Sequence, residues 1–390
     1  MKINQLLYSL IISSLLLNSC REPYDPEINQ EDLGILVVEG HIETGGEATV
    51  IKLSTTGSLN DVLTSYIPVS NAQVFIESQS GETFPLPSTE EGIYSEAHSL
   101  SNDQQYRLNI EVPDQGLYQS DWLTPLISPE IEEVGIKRAE DERSSAEVYI
   151  STHGDDEVRF FAWEYEETWV FNPELITFLK YDPALDSIVY RDSPEERIDR
   201  CWRTEYSNTI NIASSAQYQD EYIYEKVLQN VPFGSDKFTR RYSINVHQRA
   251  ISKEAFTFYE ILDKNTNDMG DIFSPLPSNL STNVHFQGNG NHKAIGMVTA
   301  GASTSRRVYF DRSDIGYWIV SNPFYAGCEL NSDTVFLAEV TAIFSSGRTV
   351  PITSVEGMGS GGIIGYRSGS RRCADCTLRG TNIQPDFWEN

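Results

Sequence analysis

Ile35-Leu36-Val37-Val38-Glu39-Gly40-His41-Ile42 is a β-branched, apolar stretch that reads as a buried strand, and it opens the folded body of the chain. Downstream of it, strand-like runs recur at 49–53, 73–77, 106–111 and 118–122, separated by clusters of Gly, Pro, Asn and Ser. Ser80-Gly81 and Glu91-Gly92 mark turns, Ile93-Tyr94-Ser95 gives an aromatic edge, and residues 103–108 lead into the next strand. Short strands at this spacing predict an immunoglobulin-like or prealbumin-like β-sandwich over residues 34–127, with Pro125 and Pro129 marking a linker.

The chain beyond Cys20 is longer than one core usually supports, so a second domain is expected over residues 128–390. It reads as a larger β-rich domain with one inserted helix. Strands are expected at 146–151 and 158–171, and in the latter Phe161, Trp163 and Tyr165 share one face while Phe160, Ala162 and Glu164 share the other. Such a ring row can stack on sugars, but in a long central strand it is core. A helix is predicted over 252–264: Ser252 caps it, Glu254 complements its dipole, and Ala255, Phe258, Tyr259 and Leu262 form a stripe for packing on a sheet. Further strands are expected at 284–286, 294–299, 306–310 and 334–344, before a Gly-rich stretch and a cysteine-bearing tail.

Upstream, Lys2 precedes an apolar run from Leu6 to Leu17, and the segment ends in Leu17-Asn18-Ser19-Cys20. The run is shorter than the roughly 20 residues that span a bilayer, and a small residue before Cys is what lipoprotein signal peptidase requires. Residues 1–19 are therefore expected to be a lipoprotein signal peptide, and Cys20 a diacylglycerol-bearing lipid anchor in a membrane. Residues 20–33, acidic and carrying Pro23 and Pro26, read as an extended tether.

Asp and Glu number 57 against 29 Lys and Arg, for a formal charge of −28. That balance repels phosphate backbones and excludes nucleic acid as a partner; it reads as solubility on a crowded cell exterior.

Four further cysteines, Cys201, Cys328, Cys373 and Cys376, form an even set in an exported chain and are expected as disulfides, with three pairings possible. Nearness in the chain favours Cys373 with Cys376 and Cys201 with Cys328. Zinc is disfavoured because neither a second Cys-x-x-Cys nor a nearby His accompanies the pair, and thioredoxin-like chemistry because no strand–helix pattern surrounds it.

Residues 357–362 match G-x-G-x-x-G, but no helix or βαβ unit follows, so a glycine-rich loop is expected and not a phosphate cradle. Asp263, Asn265 and Asn267 resemble the opening of a calcium loop, yet Asp268 and Ser274 occupy the places of its glycine and its bidentate Glu. His41, His98, His153, His247, His285 and His292 lie singly. Glu166-Glu167 and Asp155-Asp156 are acidic pairs that a glycosidase could use, though so acidic a composition supplies such pairs anyway. No catalytic, metal or cofactor residue is expected.

Residues 241–246 (Arg-Tyr-Ser-Ile-Asn-Val), 251–256 (Ile-Ser-Lys-Glu-Ala-Phe) and 270–278 (Gly-Asp-Ile-Phe-Ser-Pro-Leu-Pro-Ser) together resemble the lipoprotein family called domain of unknown function 4249 (DUF4249). Val37-Val38-Glu39-Gly40, Cys373-Ala374-Asp375-Cys376 and Pro385-Asp386-Phe387-Trp388 extend the resemblance over the chain beyond Cys20, and Ser281-Thr282-Asn283-Val284 departs from it where a Gly more often precedes the Asn. The resemblance implies a Bacteroidota lipoprotein lying beside a TonB-dependent, SusC-like outer-membrane transporter, and implies no reaction. Glu22, Asp25 and Glu27 look like the acidic signal that sends such lipoproteins to the cell surface. The expected role is a non-enzymatic binding or accessory subunit of that transporter. A structural subunit of an envelope assembly is the alternative, and a surface glycan hydrolase a third.

Overall fold

Leu36, Val38 and Ile42 are fully buried, and the strand that carries them, Leu36–Glu43, is central in its sheet. The structure is a computed structural model that describes residues 34–57, 67–139, 143–216, 218–267, 280–290, 292–357, 359 and 361–389. The expected signal peptide (1–19), Cys20, the expected tether and the 270–278 motif lie outside the described residues. The protein is mainly β. Leu36–Glu43 pairs antiparallel with Ala48–Thr55 on one side and parallel with Ala294–Ala302 on the other. Ile93–Ala97, Ser88–Glu90, Ile67–Pro68 and Leu126–Ile127 complete this sheet. Facing it is a sheet in the order Val284–Phe286, Gly116–Ser120, Tyr106–Val112, Gln73–Ser78, Thr83–Leu86. Ile51, Leu53, Ile76, Tyr94, Tyr106 and Leu108 are among the side chains packed between them.

The sandwich forms as expected, but its boundary does not. Val284–Phe286 and Ala294–Ala302, which the sequence places in the C-terminal domain, are strands of the N-terminal sandwich. The cut at residue 127 therefore divides one sheet, because strand pairing over this distance leaves no local mark on the sequence. Gly40 shows how tightly the sheet is built: a Cβ there would lie 2.6 Å from the Val50 carbonyl oxygen.

A second body is built mainly from the chain between Ile127 and Val284 and takes one further strand, Thr304–Asp311, from beyond Ala302. One sheet contains Glu133–Arg138, Ala146–His153 and Tyr222–Val231. The other contains Cys201–Tyr206, Phe160–Phe171, Arg241–Ala250 and Thr304–Asp311, with Asn211–Ser214 at one end. Phe161, Trp163 and Tyr165 pack in the core between the two, as their alternation predicts. The helix, Lys253–Asn267, covers the opposite face at Phe160 and Ala162; Ser252 Oγ accepts from the Ala255 amide at 3.2 Å, and Ala255, Phe258, Tyr259 and Leu262 lie on its packed side. A third unit comprises the sheet of Thr334–Phe336, Ile363–Ser370 and Thr349–Glu356 beside the hairpin Leu179–Asp182 and Ser187–Tyr190.

The disulfides correct the expected pairing. Cys201 bonds Cys376 and Cys328 bonds Cys373, with Cα–Cα distances of 5.7 and 5.5 Å. Asp375 is the reason. It is buried between the two cysteines, accepts from the Thr377 amide at 2.9 Å and from Arg371 Nε at 2.7 Å, and holds a turn that sends Cys373 and Cys376 to different neighbours. Nearness in the chain decides little once the turn is fixed, and the longer closures remove more unfolded-chain entropy. Unreduced protein cut with trypsin and Asp-N should release a Cys373-Ala374 fragment linked to the Cys328 peptide and a fragment beginning at Asp375 linked to the Cys201 peptide. A fragment carrying an internal Cys373–Cys376 bond would refute this pairing.

Where the two bodies meet, His41 is buried on the face of its strand opposite Leu36 and Val38. Its Nδ1 lies 2.7 Å from Thr299 Oγ1 and its Nε2 3.0 Å from the Gly301 carbonyl. Burial, and then the charge of Arg249, lower its pKa to about 4 from 6.5. The unfolded chain thus takes up a proton in a range where the folded one does not. Stability from this residue is full above pH 6.5 and declines as the pH falls to about 4, by on the order of 3 kcal/mol. Urea midpoints across that window should fall more steeply in the native protein than in His41→Gln.

Candidate functional site

Ile223, Leu228 and Val231 all face the core of the second body, at intervals of five and three that no regular strand provides. Two bulges supply the missing phase. Against Ala146–His153, the register steps from Val148↔Gln229 to Tyr149↔Val227 and from Ile150↔Lys226 to Thr152↔Ile223. Tyr224 and Glu225 therefore both oppose Ser151, whose Oγ accepts from the Glu225 amide at 3.1 Å. Glu225 is left-handed, with φ 47°, and Asp220 and Glu221 just before the strand have φ 61° and 53°. Three of the five non-glycine residues with positive φ among the described residues thus fall within six positions. Each such conformation costs of order 1–3 kcal/mol, and bulges recur where a sheet must re-aim a side chain.

The bulge presents a row of polar-tipped rings on the outer face of the three-stranded sheet. Tyr222 stacks on His153 with centroids 4.3 Å apart, and Tyr224, 66% exposed, lies 5.9 Å from Tyr222. Beneath them the Tyr149 ring crosses Gly135, where a Cβ would come within 2.3 Å of it. Carboxylates and a lysine fix the tips. Tyr149 donates to Glu133 at 2.9 Å, His153 Nδ1 pairs with Glu132, and Lys137 donates to Glu225 at 2.7 Å with its ammonium 5.4 Å from the Tyr149 centroid. Burial and then Glu133 push the Tyr149 phenol up to about 12, so it remains a donor at neutral pH. Hydrogen bonds from Lys137 and then Tyr224 hold the Glu225 carboxyl below its ordinary range, keeping it an ionised acceptor. The result is an open platform of ring faces edged by charged acceptors and donors.

Apart from His153, the residues singled out from the sequence go elsewhere. Glu166 and Glu167 are neighbours on a strand and so face opposite ways: Glu166 meets Arg307 at 2.7 Å, whereas Glu167, 2% exposed, accepts from Tyr242 at 2.8 Å and pairs with Lys237 in the core. Asp155 caps a turn by accepting from the amides of Glu157 and Val158, and Asp156 meets Arg159 at 3.2 Å. Neither pair converges on a shared point in space. The glycine-rich segment closes the hairpin between Thr349–Glu356 and Ile363–Ser370, with the Gly357 amide bonded to the Gly362 carbonyl and no helix following. Asp263 and Asn265 continue the helix, so their side chains leave it in different directions, and Asn267 lies in its last turn.

The histidines take separate partners: His41 is in the seam, His98 bonds the Pro85 carbonyl, His153 joins the rings, His247 bonds Asn245, His285 lies 3.4 Å from Asp121, and His292 packs on Phe286. Among the described residues no group of His, Cys, Asp and Glu is placed to hold a metal ion. The alternation Tyr222-Ile223-Tyr224 was the available sequence signal for the ring face. The bulge that gives it meaning was not visible.

Gly135→Ala should displace the Tyr149 ring and cost about 1–2 kcal/mol by urea denaturation. The same change made in Tyr149→Ala should cost almost nothing, because the ring it strikes is gone; an undiminished cost there would place the strain in the backbone instead.

A family model described as Domain of unknown function (DUF4249) matches residues 21–307. The match includes the sandwich, its returning strand at Ala294–Ala302 and the ring face, and ends before the sheet at 334–370 and the cysteine tail. No curated protein matches the chain.

Proposed function

This chain belongs to the DUF4249 family, and from that premise we propose that it is a surface-exposed outer-membrane lipoprotein, a non-enzymatic binding and accessory subunit of a TonB-dependent, SusC-like transporter. The observation that carries the reading is the ring face. Tyr222, Tyr224 and His153 offer flat apolar surface to solvent, and Glu132, Glu133, Glu225 and Lys137 set polar groups at its edge. That chemistry suits a ligand with one flat, partly apolar face and a polar rim, the character of a sugar ring. The platform is open, as suits capture and release. The lipobox at Leu17–Cys20 supports anchoring, each buried methylene of an acyl chain contributing about 0.8 kcal/mol.

Tethering beside a barrel would supply an effective concentration of order millimolar for a short linker, so weak docking suffices. A protein-facing surface is available at Phe336, Leu337, Ile363 and Ile364, which are exposed at one end of the C-terminal sheet, Phe336 standing opposite Gly365.

Affinity purification of the lipidated protein from native membranes in mild detergent should recover a TonB-dependent transporter at near-equal stoichiometry. Recovery of the lipoprotein alone, or of envelope-assembly proteins in its place, would overturn the accessory role. Tyr222→Ala with Tyr224→Ala should leave the transporter bound while abolishing retention of its ligand.

A further inference from the structure

A second recess, independent of the ring face, lies where the hairpin Leu179–Asp182 and Ser187–Tyr190 meets the start of Thr349–Glu356 and the short helix Arg371–Ala374. Its volume is about 410 Å³, within the range that holds small organic ligands. Lys180, Arg191 and Arg371 all line it, an unusual concentration of cations in a chain of charge −28. Two of the three are matched by carboxylates: Lys180 pairs with Glu196, and Arg371 Nε meets Asp375 at 2.7 Å.

Arg191 is different. Its Nε donates to the Leu179 carbonyl at 3.2 Å and its Nη1 to the Glu196 carbonyl at 2.9 Å, so main-chain oxygens orient the guanidinium while Nη2 is left without a protein acceptor among the described residues. No described carboxylate lies within ion-pair distance of it. The group is half-buried, and that burial pushes its pKa below the ordinary arginine range, with Asp375 and Glu196 offsetting part of the effect. A half-buried guanidinium with no carboxylate in direct contact keeps a desolvation cost that is only partly offset, and a charge-assisted hydrogen bond donated to a ligand anion would offset more of it.

The walls narrow the choice of anion. Glu195, Glu196 and Asp375 also line the recess, so a multiply charged anion such as phosphate meets repulsion there. A single carboxylate whose remaining atoms are neutral or positively charged meets less, and an ammonium group would find Glu195, the one of those acids that no lysine or arginine among the described residues pairs. We infer that this recess binds an α-amino carboxylate or peptide C-terminus, with Arg191 holding the carboxylate and the acidic wall receiving the rest. Two staples hold the floor in place, since Asp375 sits between Cys373 and Cys376, which bond Cys328 and Cys201.

Isothermal titration of the oxidised protein with alanyl-alanine, alanyl-alanine amide, free alanine and inorganic phosphate tests the inference. The dipeptide acid should bind, and its amide should bind about tenfold or more weakly, because the charge that Arg191 recognises is absent. Binding of free alanine as tight as that of the dipeptide would identify amino acids as the ligands; preference for the dipeptide would identify peptide C-termini. Arg191→Gln should reproduce the loss seen with the amide, and the comparison of acid with amide on the native protein is decisive even if that variant folds poorly. No heat with either acid, equal binding of acid and amide, or phosphate binding more tightly than the acids would overturn it.

Discussion

The parallel pairing of Leu36–Glu43 with Ala294–Ala302 is the constraint on which the architecture depends. Its partners are 258 residues apart in the chain, as the His41 to Thr299 bond shows directly. After Ile127 the chain leaves the sandwich, and it returns to it at Val284. Most of the second body is therefore inserted between strands of the sandwich, and Thr304–Asp311 joins it from beyond the returning strand. Closing so long a loop costs configurational entropy that neighbouring strands do not incur, and the packed sandwich core offsets it. The returning strand passes almost without interruption into the second body, since only Ser303 separates Ala294–Ala302 from Thr304–Asp311. Glu43 fastens that junction by accepting from the Ser303 amide at 3.2 Å and its hydroxyl at 2.5 Å.

Local features were legible and non-local ones were not. The first strand, the helix and the ring row of Phe161, Trp163 and Tyr165 each follow from periodicity and capping within a short window, and each forms where the sequence places it. The domain boundary depended on which distant strands pair, a property of three-dimensional complementarity. The disulfides illustrate the same division: an even count of cysteines pointed to bonds among the four, whereas the partners were chosen by the Asp375 turn.

The ring face escaped for another reason. Pattern reading assumes an unbroken period of two, and Tyr222–Val231 breaks it twice. Between Ile223 and Leu228 the inward positions change parity, so an alternation template assigns several side chains to the wrong face. Acidity concealed the local charges as well. Against a background of −28, Lys180, Arg191 and Arg371 carry little statistical weight, yet the fold gathers them around one recess.

The parallel strand pair also sets the mechanical character of the protein. Residues before Gly34 lead directly into Leu36–Glu43, a strand hydrogen-bonded along both edges. A pull through that end runs along the strand and loads both rows of hydrogen bonds together in shear, where peeling an edge strand would break them one by one. Yielding then requires the sheet to give way at many bonds at once. A body held through this strand therefore resists a pull along it better than it would if the strand lay at a sheet edge.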